Sequence, residues 1–313
     1  MIGMLSGLGQ SVMDGLIKSR PGLLKERLER RFRRILCRLN DPIISIPAGG
    51  GKIKAHLSHN LPLYKKALRY YDTALRRFQD FCSGKEGAIA IIDIGANICD
   101  TAVYLLDGSD ATVLCVEGGT EFLELLAINV APYAGRVETA DCYLGREEKT
   151  VVGKLSSHAG TARIELVAGG REMNVSTVES VIVQHPKFFS SRILKIDTDG
   201  YDCEIIRRAL SWLVRSRAVI FVEFVPVLLE AVSKDYLETF ELLRSIDYDF
   251  VMAYSNTGEY FCSGHLNDTG FMADLDFLTR QPHGPDFFDL FLFHEADAEL
   301  GQSFRRSELK SHN

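Results

Sequence analysis

The sequence predicts an α/β fold in which helices cover both faces of a mostly parallel sheet, preceded by a helical extension. Two observations carry this reading. From residue 89 onward, short β-branched apolar runs alternate with segments of helical periodicity. The first run, Ile89-Ala90-Ile91-Ile92-Asp93-Ile94, is apolar almost throughout, as in a strand buried on both faces, and turns at Gly95 into a helix marked by Ala102, Val103 and Leu106. The 313 residues, 46% hydrophobic and 25% charged, read as one large domain with an extension. The expected division is a helical N-terminal extension at 1–84, the sheet domain at 85–297 and a loose polar tail at 298–313.

The first forty residues lack the sustained apolar stretch of a spanning helix or a cleavable signal, and Gly3, Gly7, Gly9 and Gly15 interrupt 1–16. Leu24, Leu28, Phe32, Ile35 and Leu39 recur at helical spacing, flanked by Lys25, Arg27, Arg30, Arg31, Arg33, Arg34 and Arg38. Such a helix either packs its apolar face on the core with a solvated basic face, the favoured expectation, or lies as a peripheral contact on an anionic membrane. Residues 41–52, with Pro42, Pro47 and Gly49-Gly50-Gly51, read as a linker or hairpin turn; the tri-glycine lacks the spacing and the hydroxyl residue of a P-loop. Pro62 opens a helix expected to run to Phe81, with His56 and His59 just before it.

Strands are expected at 89–94, Thr112–Glu117 and Val137–Asp141, with helices at Asp100–Leu106 and Thr120–Val130. An inserted β-ribbon follows at 150–154, 162–167 and 173–178, whose loop 156–161, with His158, is a candidate for shaping a substrate site. A fourth strand at 193–198 leads through Gly200 into a helix, and a fifth at 218–225 stops at Pro226. A helix at 236–245, a strand near 250–255 and a last strand at 287–293 complete the pattern.

The strand, turn and helix around Gly95 leave free helix amides above the strand, a place for a nucleotide-like ligand. The run Gly95-Ala96-Asn97-Ile98-Cys99-Asp100 departs from the dinucleotide fingerprint G-x-G-x-x-G. Asp93 would repel a pyrophosphate but attract the cationic amino acid end of S-adenosylmethionine. Glu117, ending the second strand, can accept both ribose hydroxyl hydrogen bonds of either cofactor, so an NAD-dependent oxidoreductase stays as a disfavoured alternative.

Four segments together resemble the FkbM-type S-adenosylmethionine-dependent methyltransferases. They are Ile91-Ile92-Asp93-Ile94-Gly95-Ala96-Asn97; Val116-Glu117-Gly118 with Asn129; Leu194-Lys195-Ile196-Asp197-Thr198-Asp199-Gly200-Tyr201-Asp202; and Phe221-Val222-Glu223. The similarity spans residues 61–295; the family usually has glycine where this chain has Cys99, and glutamate at Asp199 and Asp202. The resemblance implies a Rossmann-like class I methyltransferase fold, a seven-stranded sheet with an antiparallel last strand, and O-methylation, commonly of sugar hydroxyls in glycans, glycolipids or natural products. On that reading Asp93 faces the amino acid end of the cofactor, Gly95, Ala96 and Asn97 form its turn, Glu117 and Gly118 meet the ribose, and Asp141 the adenine edge. Asp197 is the expected base or orienting group for the acceptor hydroxyl, in a polar cluster with Asp199; Lys195 holds it ionised and Glu223 buttresses the pair. A protein that keeps the fold and binds cofactor or partner without turnover is the alternative from another class.

The net charge of −6 argues against a nucleic-acid binder. The seven cysteines are scattered, with no C-x-x-C pair, which indicates neither a zinc site nor a disulfide framework and fits a reducing cytoplasm. An EF-hand alignment of Asp197-Thr198-Asp199-Gly200 fails at both ends, and no metal ligands are assigned.

Overall fold

The computed structural model describes the chain except residues 1, 21, 23, 159–160, 167–170 and 312–313; at 2–3, 153–158, 161–166, 171 and 311 only the backbone is described. The extension begins with α1 (Ile2–Lys18) and α2 (Leu24–Leu39), which pack together. The α1 glycines do not break the helix. A Cβ on Gly9 would lie 3.0 Å from Pro42 Cγ and one on Gly15 2.2 Å from a Glu29 carboxylate oxygen, so both allow close approach. The antiparallel hairpin β1 (Ile43–Ala48) and β2 (Gly51–His56) turns at Gly49-Gly50, with Gly49 at φ +60°. Met13, Leu16, Ile46, Ile53 and Leu57 join Ile98, Val103 and Leu125 in a small core that ties this extension to the sheet domain.

The single helix expected over 62–81 is two, α3 (Leu61–Ala67) and α4 (Ala74–Glu86). Leu68 is extended and Asp72 left-handed at φ +57°. At this bend the Tyr70 carbonyl sits so near Gly258 that a Cβ there would lie 1.8 Å away. The break swings Tyr71 and Asp72 over the edge of the sheet.

The domain continues through β3 (Ala90–Ile94), α5 (Asp100–Leu106), β4 (Thr112–Glu117), α6 (Thr120–Val130) and β5 (Val137–Asp141). Then come β6 (Tyr143–Leu144), β7 (Lys149–His158), β8 (Thr161–Leu166), β9 (Arg171–Ser176), α7 (Val178–Gln184), β10 (Ile193–Ile196) and α8 (Asp202–Ser216). The chain ends with β11 (Val219–Phe224), α9 (Pro226–Val232), α10 (Glu238–Arg244), β12 (Tyr248–Ser255), β13 (Tyr260–His265), α11 (Phe271–Thr279), β14 (Phe288–His294) and α12 (Ala298–Ser311). Among the described residues the main sheet has eight strands in the order β13-β12-β14-β11-β10-β3-β4-β5. β5, β4, β3, β10 and β11 run parallel, and β14 is antiparallel to both β11 and β12. The expected mostly parallel α/β sheet with its antiparallel last strand is present; β13, not foreseen, adds an eighth strand beyond the expected seven.

Alternation along β3 and β10 sends Ile92, Ile94, Leu194 and Ile196 into a core shared with Trp212 of α8 and Phe240 of α10. Ile91, Ile193, Phe221 and Phe291 face Phe78 of α4, Leu105 of α5 and Phe304 of α12. Residues 298–311 are therefore not a loose tail. Phe304 is 1% exposed, and Glu308 pairs with Arg77 of α4 at 2.7 Å. The inserted ribbon is a four-stranded sheet, β6-β9-β7-β8. Of its candidate loop, Ala159 and Gly160 lie outside the described residues, as does the His158 side chain.

Candidate functional site

A cleft of about 580 Å³ opens at the carboxyl ends of the parallel strands, where open α/β sheets bind ligands. Its floor is the turn after β3. Gly95 sits at φ +76°, and a Cβ there would lie 1.8 Å from the Asp197 carbonyl, so the turn passes directly against the end of β10. Asn97 and Cys99 also take left-handed angles, φ +50° and +62°. Cys99, where the resembled family has glycine, thus occupies a backbone position suited to glycine, with its thiol buried beside Cys115.

Glu117 closes the next corner. Its Oε2 accepts a hydrogen bond from the Asn97 amide at 2.8 Å and its Oε1 one from the Gly119 amide at 2.6 Å. Burial raises its pKa, opposed by those amides. Gly118 leaves no room for a side chain, since a Cβ would lie 2.5 Å from the Tyr143 ring. Asn97 Oδ1 and Thr198 Oγ1, both beside the cleft, are buried atoms that find no hydrogen-bond partner among the described residues.

The opposite wall is the end of β10. Lys195 faces Asp93 across the β10–β3 pair, with Nζ 2.8 Å from Asp93 Oδ1 and 3.5 Å from Asp197 Oδ2. Burial opposes the lysine's charge, yet the two carboxylates hold its pKa well above the ordinary value. Asp197 is 46% exposed toward the cleft. Beside it, burial and the Asp197 carboxylate push Asp199 up to about 6. Asp202, similarly raised to about 6, accepts hydrogen bonds from the Thr198 and Gly200 amides and so fixes the turn that carries Asp199.

A small side cavity of about 60 Å³, also bordered by Lys195, Asp197, Tyr71 and Asp72, is lined further by Glu223 and Asp289. These two face each other across the antiparallel β11–β14 pair. Burial, reinforced by Asp197, drives both carboxyls well above their usual range. Asp72, held at about 7 mainly by burial and lowered by Lys65, completes the rim.

Of the residues expected from sequence, Gly95, Ala96, Asn97, Glu117, Gly118, Lys195, Asp197 and Asp199 share the main cleft, and Glu223 lies in the adjoining cavity. Two do not reach it. Asp93 is fully buried behind Lys195, because the lysine takes the carboxylate that was expected to face a cationic ligand. Asp141 ends β5 beside Glu117 but lies outside the lining, where Cys142 and Tyr143 take the wall. Glu223, expected to buttress the Lys195 and Asp197 pair, makes no ion pair with Lys195 among the described residues; Phe221, not Glu223, is the register partner of Lys195. The sequence reading missed Asp72 and Asp289, isolated acids in otherwise unmarked segments, and did not assign His59, which lines the cleft with its pKa lowered by burial.

No family model matches the chain, and no curated protein matches it. Solved structures do. An O-methyltransferase from Bacillus cereus in complex with S-adenosylhomocysteine is 12% identical over 93% of this chain and 100% of its own, with a TM-score of 0.39. The methyltransferase FkbM from Methylobacillus flagellatus KT is 12% identical over 75% of this chain and 59% of its own, TM-score 0.39. The O-methyltransferase TomG from Streptomyces achromogenes, in complex with S-adenosylmethionine, is 12% identical over 70% and 79%, TM-score 0.38. Likenesses this loose assign no chemistry.

Proposed function

We propose that this chain is an S-adenosylmethionine-dependent O-methyltransferase whose acceptor is a hydroxyl, of a sugar or another polyhydroxylated molecule. The observation that carries the reading is the meeting, in one cleft, of the Gly95 turn and Glu117 with the Lys195 and Asp197 pair. The residues fit the cofactor. Glu117 has lone pairs beyond its amide bonds for ribose hydroxyls, Gly118 keeps that corner low, and Asn97 Oδ1, without a hydrogen-bond partner among the described residues, lies beside the cleft.

When bound, the sulfonium supplies an activated methyl carbon, so the acceptor oxygen forms the new C–O bond as the C–S bond breaks. The protein's task is then alignment, exclusion of water and removal of the hydroxyl proton. Asp197 takes that proton: its carboxylate opens to the cleft and, unlike its neighbour Asp199, is backed by the Lys195 ammonium at 3.5 Å. Lys195 in turn is held in place by Asp93. The side cavity supplies the acceptor's other contacts: Glu223, Asp289, Asp72 and Asp197 line it, and burial biases Glu223 and Asp289 toward the protonated form that can donate as well as accept. Such a mixture of donors and acceptors suits vicinal hydroxyls.

The test is a thermal-shift comparison with S-adenosylhomocysteine and NAD at matched millimolar concentrations. Stabilisation by the homocysteine compound alone is expected, by mass action on the folded state. Stabilisation by NAD alone would overturn the reading in favour of a dehydrogenase.

A further inference from the structure

Among the described residues the apolar face of α2 is left largely exposed. The buried and half-buried side of this helix is formed by Glu26, Glu29, Arg33, Leu36 and Cys37. Leu24, Leu28, Phe32, Ile35 and Leu39, the expected core face, point outward; Leu24 is 72% exposed, Phe32 53% and Leu39 74%. At about 100° per residue these five side chains fall within an arc of about 80°. Arg27, Arg31, Arg34 and Arg38 occupy the adjoining arc, all exposed and none in an ion pair among the described residues. The helix is thus divided into a packed side, an apolar stripe and an arginine band.

The inward side explains why the stripe faces out. Glu26 accepts from Arg30 at 2.8 Å and from the Gly22 amide at 2.6 Å, capping the start of the helix. Arg33 donates to the carbonyls of Leu57, Ser58 and His59 and to Asn60 Oδ1. Rotating the stripe inward would break these bonds and turn Glu26 and Arg33 out to solvent. Arg33 also holds the segment leading into His59 and Leu61, which line the mouth of the main cleft.

We infer that α2 is a docking helix for an anionic membrane surface, its stripe entering the interface and its arginine band meeting lipid headgroups. Charge complementarity selects this occupant. The helix carries seven cations and two acids, and both acids are turned inward, Glu26 to Arg30 and Glu29 toward Lys25. A second copy laid stripe to stripe would bring two arginine bands together with no acid to offset them. The chain's net charge is −6 although α2 itself is strongly basic, so the rest of the chain is acidic on balance and the attraction centres on α2. Docking there also sets the orientation of the cleft mouth through the Arg33 bonds.

Sedimentation of the full chain with vesicles tests this. Phosphatidylcholine vesicles containing about a third phosphatidylserine are expected to pellet the protein at low salt, and pure phosphatidylcholine vesicles to leave it in solution. Binding should fall at least tenfold in Phe32→Asp and in the triple variant Arg27→Gln, Arg31→Gln, Arg34→Gln, and should weaken in about 0.5 M salt. Both sets of positions are exposed, and circular dichroism melts matching the parent check that folding is intact. Absence of pelleting with the serine vesicles would overturn the inference, and so would pelleting that neither variant alters. A parent dimer that Phe32→Asp dissociates, without vesicle binding, would assign the stripe to contact between copies instead.

Discussion

Lys195 and Asp93 stand opposite each other on neighbouring parallel strands, joined at 2.8 Å in the floor beneath the cleft. Both are nearly inaccessible to water, so neither can lose the other without leaving a buried charge. Lys195→Met should therefore destabilise by about 3–5 kcal/mol. The double variant Lys195→Met, Asp93→Leu should recover most of that loss, because it removes both charges together. Urea denaturation of the three proteins checks this; equal loss in the single and double variants would show that the pair is not coupled.

The acids around the cleft make stability depend on pH. Asp199 and Asp202 are raised to about 6 and Asp72 to about 7, all chiefly by burial. Between pH ~4 and ~7 these three groups keep protons in the folded state that the unfolded chain has released, so the stability they contribute is fully present below about pH 4 and is lost as pH rises through the folded values. Asp199→Asn removes one such group, and asparagine tolerates the φ of +50° at that position. Its melting temperature should exceed the parent's at pH 8 and match it at pH 4. An equal shift at both pH values would contradict an ionisation origin.

Gly95 has no space for a methyl group. A Cβ there would press on the Asp197 carbonyl, forcing β3 and β10 apart at the point where the turn meets the catalytic candidate. Gly95→Ala is expected to cost on the order of 2 kcal/mol or more. Whatever folds should bind S-adenosylhomocysteine at least tenfold more weakly, read by titration below its melting temperature.

The last helix belongs to the core. Phe304 packs its ring on Phe78, Phe81 and Phe291 at centroid distances of 5.0, 5.4 and 5.9 Å. Phe304→Ala should cost about 3–5 kcal/mol in chemical denaturation. A change below about 1 kcal/mol would show that α12 contributes little to the fold.

Much of the sheet was legible because its strands are continuous apolar runs closed by single acids or glycines. Asp93, Glu117, Lys195 and Asp197 could be placed at strand ends from this punctuation alone. Their partners could not, since pairing depends on register between strands distant in sequence. Asp93 was expected to face the ligand, and the register instead presents it to Lys195. Asp289 and Asp72 carry no local signal; the antiparallel pairing of β14 and the break after α3 bring them to the cavity. The apolar stripe of α2 was visible, but which way it faces is decided by the Arg33 and Glu26 bonds made on its other side. In α12, Leu300, Phe304 and Glu308 keep helical spacing amid polar neighbours, too sparse a stripe to separate from a solvated tail.

The Gly95 turn and Glu117 form the proposed seat of S-adenosylmethionine. Calorimetric titration of ligand-stripped protein with S-adenosylhomocysteine, repeated on Glu117→Ala and Glu117→Gln, decides whether they do. The expected result is saturable micromolar binding, lost at least tenfold in the alanine variant and partly retained in glutamine, which keeps one acceptor oxygen. No heat of binding in the folded parent, or unchanged affinity in Glu117→Ala, would contradict it.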